Sequence, residues 1–341
     1  MKLPVIHIGY PKTASTTLQN MVFQRHEGLL YLGRGVSGSM IDYIDGGITA
    51  MAEIDLKFRR DASLDREKSR QLIDKYKAIA DEAGKTLVYS SEYLSIDWPS
   101  EIDLSQKVER LAYFFRNQAQ IIMVTREQYS WLFSFYKELI RQGYTETYQE
   151  FIYWVWQKQD RNMLPTLNFA HVKNLYEEHF GRGNVHVLPF ELFHNHTHHF
   201  AESLSAILNV SISDDALINK DNAAFSDNHL NVLRELNKRY HHTVMAPTML
   251  GYHDFFASDY YVSELGLKSA PIRSLVDEQL RTALHDVARR FDAVKHTLSQ
   301  DIPNDLREKL KKYFVDGNLA LQEQVDFDLK ALGYAVDNKC I

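Results

Sequence analysis

Two short stretches of the sequence combine a cation with hydroxyl groups, and a third offers a carboxylate. Lys12 is followed by hydroxyl-bearing residues up to Thr17, Arg126 is followed eight residues later by Ser134, and Glu92 comes after two serines. Lysine and arginine hold phosphate-like anions, and hydroxyl groups add hydrogen-bond donors with little bulk. Because a carboxylate can take a proton from an attacking hydroxyl or amine, these residue types together indicate group transfer to or from an anionic substrate.

The lysine stretch has the pattern of a buried strand, a tight loop and the start of a helix. The apolar run at 5–8 predicts the strand, and Gly9-Tyr10-Pro11 ends it. Ser15, Thr16 and Thr17 are typical of the cap and first turn of a helix. Backbone N–H groups and the positive end of the helix dipole converge at such a point. The sequence therefore predicts an anion site here.

This loop differs from the standard ATP-binding loop, in which a glycine precedes the lysine, because Pro11 takes that place. The run from Tyr10 to Thr17 resembles instead the P-K-T-G-[ST]-[ST] loop of sulfotransferases. In that family the loop grips the 5′-phosphosulfate of PAPS (3′-phosphoadenosine 5′-phosphosulfate). The departure is Ala14, where glycine is commoner, and a residue this small should still let an anion approach the backbone. The plain alternative is an ordinary strand-to-helix turn with a surface lysine.

The resemblance implies that the whole loop binds the cofactor. The residues concerned are Pro11, Lys12, Thr13, Ala14, Ser15, Thr16 and Thr17. Within this set, Lys12 is also expected to act in catalysis, by neutralising charge on the leaving oxygen.

A second sulfotransferase signature is a strand that ends in arginine, with a serine eight residues further on. The predicted strand Gln120 to Thr125 is followed by Arg126, and Ser134 stands at that spacing. In the family both residues hold the 3′-phosphate of PAPS, and a guanidinium at a strand end can grip phosphate bidentately. Trp131, with its apolar neighbours on the helix, is expected to be core.

Glu92 is the candidate general base. It follows a predicted strand at 86–90, and ligands collect outside the carboxyl ends of parallel strands. Several carbohydrate-type sulfotransferases place a glutamate base after this strand, which the Ser-Ser-Glu sequence resembles. The alternative is a glutamate at a helix start, favoured by the dipole and capped by Ser90 or Ser91. His7, within the first strand, is a further candidate base and is more typical of a core residue.

Strands that alternate with helical stretches predict an α/β fold with a central parallel sheet and helices on both faces. The resemblance implies a single P-loop-like sulfotransferase domain over 1–341, with a helical excursion at about 35–83. A helical and aromatic cap region is expected at about 219–341. The glycine-rich run from Gly28 to Gly47 is interpreted as a surface loop, and a fourth strand is expected from Val185 to Leu188.

Composition excludes several classes of function. The 341 residues are 45% hydrophobic and 25% charged, which is typical of a soluble globular protein. The net charge of −6 gives no basic field for nucleic acid, and no apolar run is long enough to span a membrane. The single cysteine, Cys340, and a start that leads directly into a strand predict a cytoplasmic protein without a signal peptide.

Four further features give weaker indications of function. The histidines from His194 to His199 have the spacing of a helix face but lack a carboxylate or thiolate that would complete a metal site. Lys220 or Asn222 could contact the 3′-phosphate side. The aromatic segment at 240–267 could stack on an acceptor or simply pack between helices. Glu191 is expected to be architectural.

The resemblance therefore implies a bacterial enzyme that transfers the sulfuryl group from PAPS, with PAP as product, to a hydroxyl or amine. The acceptor is expected to be a small molecule or glycan, with a carbohydrate or glycolipid preferred; no metal is required, and the sequence does not specify the oligomeric state. Two alternatives stay open: a small-molecule or nucleotide kinase with a degenerate phosphate loop, and a non-catalytic PAP-binding protein.

Overall fold

The computed structural model describes residues 2–33, 45–97, 101–159, 162–218, 225–244, 278–290 and 298–337. No helix in these ranges is long and apolar enough to cross a membrane.

A sheet of five parallel strands lies at the centre of the fold. The strands are β1 (Val5–His7), β2 (Leu29–Leu32), β3 (Thr86–Ser90), β4 (Gln120–Thr125) and β5 (Val185–Pro189), and their order is β2-β3-β1-β4-β5. Val5 pairs with Val88 on one side and with Gln120 on the other. The predicted α/β class with a parallel sheet is therefore confirmed. Because the chain leaves β1 towards β3 and β2 and returns to place β4 on the opposite side, the switch in strand order lies between β1 and β4.

Helices connect and cover the strands. They are α1 (Ser15–Thr17), continued by a π-helical turn (Leu18–Phe23), α2 (Gly46–Ala50), continued by a second π-helical turn (Met51–Asp55), α3 (Arg66–Glu82), α4 (Leu104–Phe114), α5 (Gln128–Arg141), α6 (Tyr148–Gln157), α7 (Phe169–Phe180), α8 (Phe190–Asn195), α9 (Thr197–Leu208), α10 (Asp214–Leu217), α11 (Asp227–Val244), α12 (Glu278–Arg290) and α13 (Asn304–Gln322). Short 3₁₀ turns lie at Asp61–Ser63, Glu92–Leu94, Leu164–Leu167 and Arg182–Asn184.

The interpretation of Gly28 to Gly47 as a surface loop was wrong for its first part, because Leu29–Leu32 forms the edge strand β2. This run pairs with β3 from Leu29 opposite Thr86 to Leu32 opposite Tyr89. Four residues are too short for a periodic pattern to stand out, and the neighbouring glycines favoured a loop. The hydrogen-bonded pairing with β3 is what makes these residues a strand.

Both faces of the sheet are covered, because successive strand residues point to opposite sides. On one face Val5 and Val88 belong to a core cluster with Leu18 and Phe200, which come from the first π-helical turn and α9. On the other face Tyr89 contacts the ring of Phe115, just after α4, with ring centroids 6.1 Å apart. The sheet is therefore the middle layer, and the ends of its strands are left for a site.

The chain divides into two compact units. The first comprises Met1–Gln128, Pro165–Lys220 and Tyr313–Ile341, and it holds the sheet; the second comprises Tyr129–Leu164 and Asp221–Lys312. In the second unit α11 and α12 pack together. The single domain over 1–341 stays a prediction.

Candidate active site

The backbone of the loop after β1 has an unusual conformation. Lys12 and Ala14 adopt positive φ angles of 66° and 63°, which L-residues rarely do, while Thr13 between them does not. Such alternation turns successive N–H groups towards one side, the arrangement of an anion-binding nest. It also gives a physical reason for glycine at the place of Ala14 in sulfotransferase loops, since a Cβ in this region costs about 1–2 kcal/mol.

Hydroxyl groups brace this loop from inside. The Thr13 and Ser15 hydroxyls both donate to the Tyr10 carbonyl, at 2.5 and 3.3 Å, and both side chains are buried. Thr16 is exposed and Thr17 is buried at the start of the helix. The side chains of Thr13 and Ser15 therefore stabilise the loop, and contact of this loop with a cofactor stays a prediction.

Tyr10 anchors the loop to the rest of the first unit. Its ring is fully buried and meets Phe169 edge to face at 5.1 Å, and its hydroxyl donates to the Thr166 carbonyl at 2.5 Å. Burial raises the pKa of the Tyr10 phenol well above its ordinary value, so the hydroxyl keeps its proton as a donor. From local pattern alone this tyrosine is predicted only to lie in a turn, because its partners are more than 150 residues away.

Arg126 lies against the lysine loop. It directly follows β4, and its Nη1 donates to the Lys12 carbonyl oxygen at 3.0 Å. Its guanidinium also lies over the Phe190 ring, 4.7 Å from the centroid. Burial lowers the pKa of the Arg126 guanidinium, while Glu191 opposes this by raising it. The structure thus brings Lys12 and Arg126, one residue from each signature, together at the switch point between β1 and β4.

A hydrogen-bond network holds the strand end that carries Arg126. Glu191 accepts from the Glu127 backbone N–H at 2.9 Å and from the Tyr334 hydroxyl at 3.1 Å. The Thr125 and Tyr334 hydroxyls are 3.1 Å apart. These contacts give Glu191 the architectural role that the sequence indicated. Tyr334 was missed, because no local pattern links a residue near the C-terminus to β4.

Ser134 lies half-buried on α5, in the second turn of that helix. It belongs to the second compact unit, whereas Arg126 belongs to the first. The predicted joint hold of Arg126 and Ser134 on a 3′-phosphate therefore stays a prediction. Trp131 is fully buried, as the sequence indicated.

Glu92 stands at the carboxyl end of β3, next to β1. Ser90 pairs in register with His7, and the Ser91 N–H donates to the His7 carbonyl at 3.1 Å. Glu92 then opens a three-residue 3₁₀ turn and is half-buried. The Ser91 side chain makes no capping hydrogen bond to this turn. Ser91 therefore does not act as the cap that the alternative interpretation requires.

The turn that begins at Glu92 is held by side chains from distant helices. The Lys107 ammonium on α4 donates to the Tyr93 and Ile96 carbonyls, at 3.2 and 2.8 Å, and forms an ion pair with Glu101. Both charged side chains of that pair are fully buried. The Tyr176 hydroxyl on α7 donates to the Leu94 carbonyl at 2.6 Å. These contacts fix the main chain around Glu92.

His7, the other candidate base, is fully buried on β1, and its Nδ1 lies 2.8 Å from the Ser90 hydroxyl oxygen. Burial lowers the pKa of the His7 imidazole to about 3, so the ring stays neutral near neutral pH. His7 is fully buried, whereas Glu92 is half-buried and therefore more open to an acceptor, which favours Glu92 as the base.

The remaining candidates are the histidines around His198 and residues outside the described ranges. His198 lies on α9 and is paired with Asp214 and Glu202 on the surface. In the described ranges no group of three or more His, Cys, Asp and Glu residues is placed to hold a metal ion. Lys220, Asn222 and residues 245–267 of the aromatic segment lie outside the described residues.

No protein-family model matches the chain, and no curated protein matches it. Solved structures do. Several of the similar structures are sulfotransferases. One from Alicyclobacillus acidocaldarius is 16% identical with a TM-score of 0.43, and the match covers 80% of this chain and 99% of that one. A sulfotransferase domain from the curacin biosynthetic pathway is 16% identical with a TM-score of 0.39 over 79% and 99% of the two chains. A mouse sulfotransferase complexed with PAP is 13% identical with a TM-score of 0.37 over 84% and 88%.

The sulfotransferases among these structures belong to the family that the sequence resembles. Within this chain, Lys12 and Arg126 are joined by a direct hydrogen bond. Glu92 follows the strand next to theirs. Ser134 lies in the other compact unit. The residues that can bind an anion and accept a proton at this site are therefore those of the lysine loop, Arg126 and Glu92.

Proposed function

We propose that this protein transfers the sulfuryl group of PAPS to a hydroxyl or amine of an acceptor. The observation that carries the proposal is the hydrogen bond from Arg126 Nη1 to the Lys12 carbonyl. It joins the proposed anion-binding loop to a strand-end arginine at the carboxyl ends of β1 and β4. Two anionic groups of one ligand can be held there, as a nucleotide with phosphates on both sides of its ribose requires.

The donor set of this edge fits such a nucleotide. The loop offers main-chain N–H groups in a nest, with Lys12 as a mobile point charge. Arg126 donates from Nη1 to the loop, and a planar guanidinium is a group that can hold a phosphate bidentately. We assign the 5′-phosphate side to the loop and the 3′-phosphate side to Arg126. Ser134 is assigned to the latter on the sulfotransferase resemblance.

Catalysis in this proposal rests on charge and position. PAPS, when bound, supplies the sulfuryl group. Lys12 stabilises negative charge that develops on the leaving oxygen, which lowers the barrier only if it acts more strongly in the transition state than before it. Glu92 takes the proton of the acceptor hydroxyl or amine. Lys107 holds the main chain of the turn from which Glu92 projects.

The acceptor we propose is a carbohydrate, glycolipid or other small hydroxyl compound, because a glutamate base is the feature that the chain shares with carbohydrate-type sulfotransferases. We also propose a cytoplasmic location and a reaction that needs no metal. The location rests on the lone cysteine near the C-terminus, since a reducing compartment keeps thiols free.

A thermal-shift assay tests the proposed function. PAP should raise the melting temperature at micromolar concentration, because a ligand that binds only the folded state stabilises it by RT ln(1 + [L]/Kd). ATP, which lacks a 3′-phosphate, should do little at the same concentration. Equal shifts with ATP and PAP would contradict the assignment, and a shift with ATP alone would indicate the kinase alternative. Turnover of PAPS on a panel of sugar acceptors then separates an enzyme from a non-catalytic PAP-binding protein.

A further inference from the structure

A chain of hydrogen bonds runs below the lysine loop and ends at a buried ring nitrogen, His7 Nε2, which has no hydrogen-bond partner among the described residues. Gln19 Nε2 donates to the Ser90 hydroxyl oxygen at 3.0 Å, and that oxygen lies 2.8 Å from His7 Nδ1. A serine hydroxyl has one proton. When Ser90 gives this proton to Nδ1 while it accepts from Gln19, the proton of the neutral imidazole lies on Nε2.

His7 Nε2 is buried and has no hydrogen-bond partner in the part of the chain that the structure describes. It lies under Gly9, since a Cβ on this glycine would come within 2.4 Å of it. The Ser15 hydroxyl oxygen is 3.0 Å from the same point. A glycine at residue 9 therefore leaves no side chain between His7 and Ser15. Buried donors are nearly always satisfied, so an orphan here calls for an acceptor.

Ser15 can serve as that acceptor when its own proton is used elsewhere. Its hydroxyl now donates to the Tyr10 carbonyl over a long 3.3 Å, and the Thr13 hydroxyl donates to the same carbonyl at 2.5 Å. If Ser15 turns its proton away, Thr13 still satisfies Tyr10. Ser15 is therefore the member of the pair that can be released at small cost.

We propose that His7 is a positioning residue, whose Nε2–H holds the Ser15 hydroxyl oxygen while that hydroxyl donates to an anion in the loop. This inference rests on the proposed function, because the anion is the 5′-phosphate side of the nucleotide. The full chain then runs from Gln19 through Ser90, His7 and Ser15 to the ligand, and every buried donor in it has an acceptor. Burial, which lowers the pKa of His7 to about 3, keeps the imidazole in the neutral form that this role needs.

Two isosteric substitutions of His7 test the role. Asparagine places its amide where Nδ1 lies, which keeps a partner for Ser90 and removes the Nε2–H donor. Glutamine places its amide near Nε2 and keeps a donor there. We expect His7→Asn to weaken PAP binding by about tenfold, the loss of one hydrogen bond in a charged network, and His7→Gln to stay within about threefold of wild type. Isothermal titration with PAP measures both.

The coupling to Ser15 is tested by a double variant. Ser15→Ala should lose as much PAP affinity as His7→Asn, and the double variant should lose no more than Ser15→Ala alone, because both changes remove the same chain. Thr86→Val is the matched control. It deletes a buried hydrogen bond on β3, from Thr86 to the Leu208 carbonyl, and should lower the melting temperature without changing PAP affinity.

The outcomes separate the two proposals. Equal losses in His7→Asn and His7→Gln, additive losses in the double variant, or His7→Asn binding PAP like wild type would each overturn the role of His7 and leave the proposed function standing. A wild-type protein without PAP affinity would overturn both. Nitrogen-15 NMR of the ligand-free protein adds an independent readout: His7 should be the neutral Nε2–H tautomer from pH 5 to 8. An Nδ1–H tautomer would contradict the proposal.

Discussion

The loop after β1 and the turn after β3 follow neighbouring strands, yet they are held in place by different means. The loop is shaped mainly by its own residues, through positive φ angles at Lys12 and Ala14 and two hydroxyls that donate to one carbonyl within the same short run, and Tyr10 anchors it to Thr166. The turn at Glu92 is shaped from outside, by Lys107 on α4 and Tyr176 on α7. The conformation of the loop is set mainly by contacts between residues close in sequence and is strained. The turn is held by contacts with residues far away in the sequence.

This difference has a physical consequence. A strained local loop can place main-chain N–H groups close together, which suits an anion, and it stores a conformational cost at the site. A braced turn holds one side chain in a fixed position, which suits a base that must meet an acceptor. Substitutions in the loop should therefore act on nucleotide handling, whereas substitutions in the brace should act first on stability.

The largest effect is expected at Glu92. If it is the base, Glu92→Gln should keep the fold and PAP affinity, while turnover falls by about two to four orders of magnitude. Glu67→Gln, which removes an exposed carboxylate on α3, is the control and should leave turnover unchanged. Steady-state kinetics with an identified acceptor measures the effect. Turnover within a few-fold of wild type in Glu92→Gln would remove the base from this turn.

The brace of the turn can be broken at Lys107. Lys107→Met should lower the free energy of unfolding by about 3–5 kcal/mol, because it leaves the buried Glu101 carboxylate without its ion-pair partner. Denaturant unfolding measures this value. The double variant Lys107→Met with Glu101→Gln should recover part of the loss, since no buried charge is then left. A single variant as stable as wild type would show that the turn does not depend on this pair.

In the loop, charge rather than binding is expected to be the main role of Lys12. Lys12→Ala should lower kcat by about 10²–10³, as expected for the loss of one group that stabilises developing charge, and should change PAP affinity less. The comparison of kcat with the Kd of PAP decides. A variant that loses affinity and keeps its kcat would reverse the roles assigned to Lys12 and Arg126.

The smallest effect concerns the strain of the loop. Ala14→Gly removes a Cβ from a residue with φ of 63°. It should raise the free energy of unfolding by about 1 kcal/mol, because glycine adopts this conformation without steric cost. Ala83→Gly, at the end of α3 where φ is −81°, is the matched control and should not stabilise the protein. A destabilised Ala14→Gly variant would mean that the loop is not strained at this residue.

What the sequence could predict follows the same division. The lysine loop, the strand-end Arg126 and the class of the fold were predictable, because strand, turn and helix start leave local patterns. Even the position of Glu92 followed from the rule that ligands collect at the carboxyl ends of parallel strands.

The contacts that hold these residues could not be predicted. Tyr334 and Tyr176 form hydrogen bonds with residues that are far away in the sequence. No sequence pattern near Arg126 or Glu92 predicts these contacts. Strand β2 was missed for a related reason, since its pairing with β3 rather than its short sequence makes it a strand. Local patterns predicted where the site lies, and tertiary contacts decide how firmly it is held.

The central claim, that the loop and Arg126 form one nucleotide site, is tested most directly by titrating PAP and AMP, which differ only in the 3′-phosphate, into wild type and Arg126→Ala. Wild type should prefer PAP, and Arg126→Ala should lose about 2 kcal/mol of PAP binding free energy while AMP affinity changes little. Arg182→Ala, which removes an exposed arginine before β5, should bind both nucleotides like wild type. Equal affinity of wild type for PAP and AMP, or equal losses for the two nucleotides in Arg126→Ala, would contradict the claim.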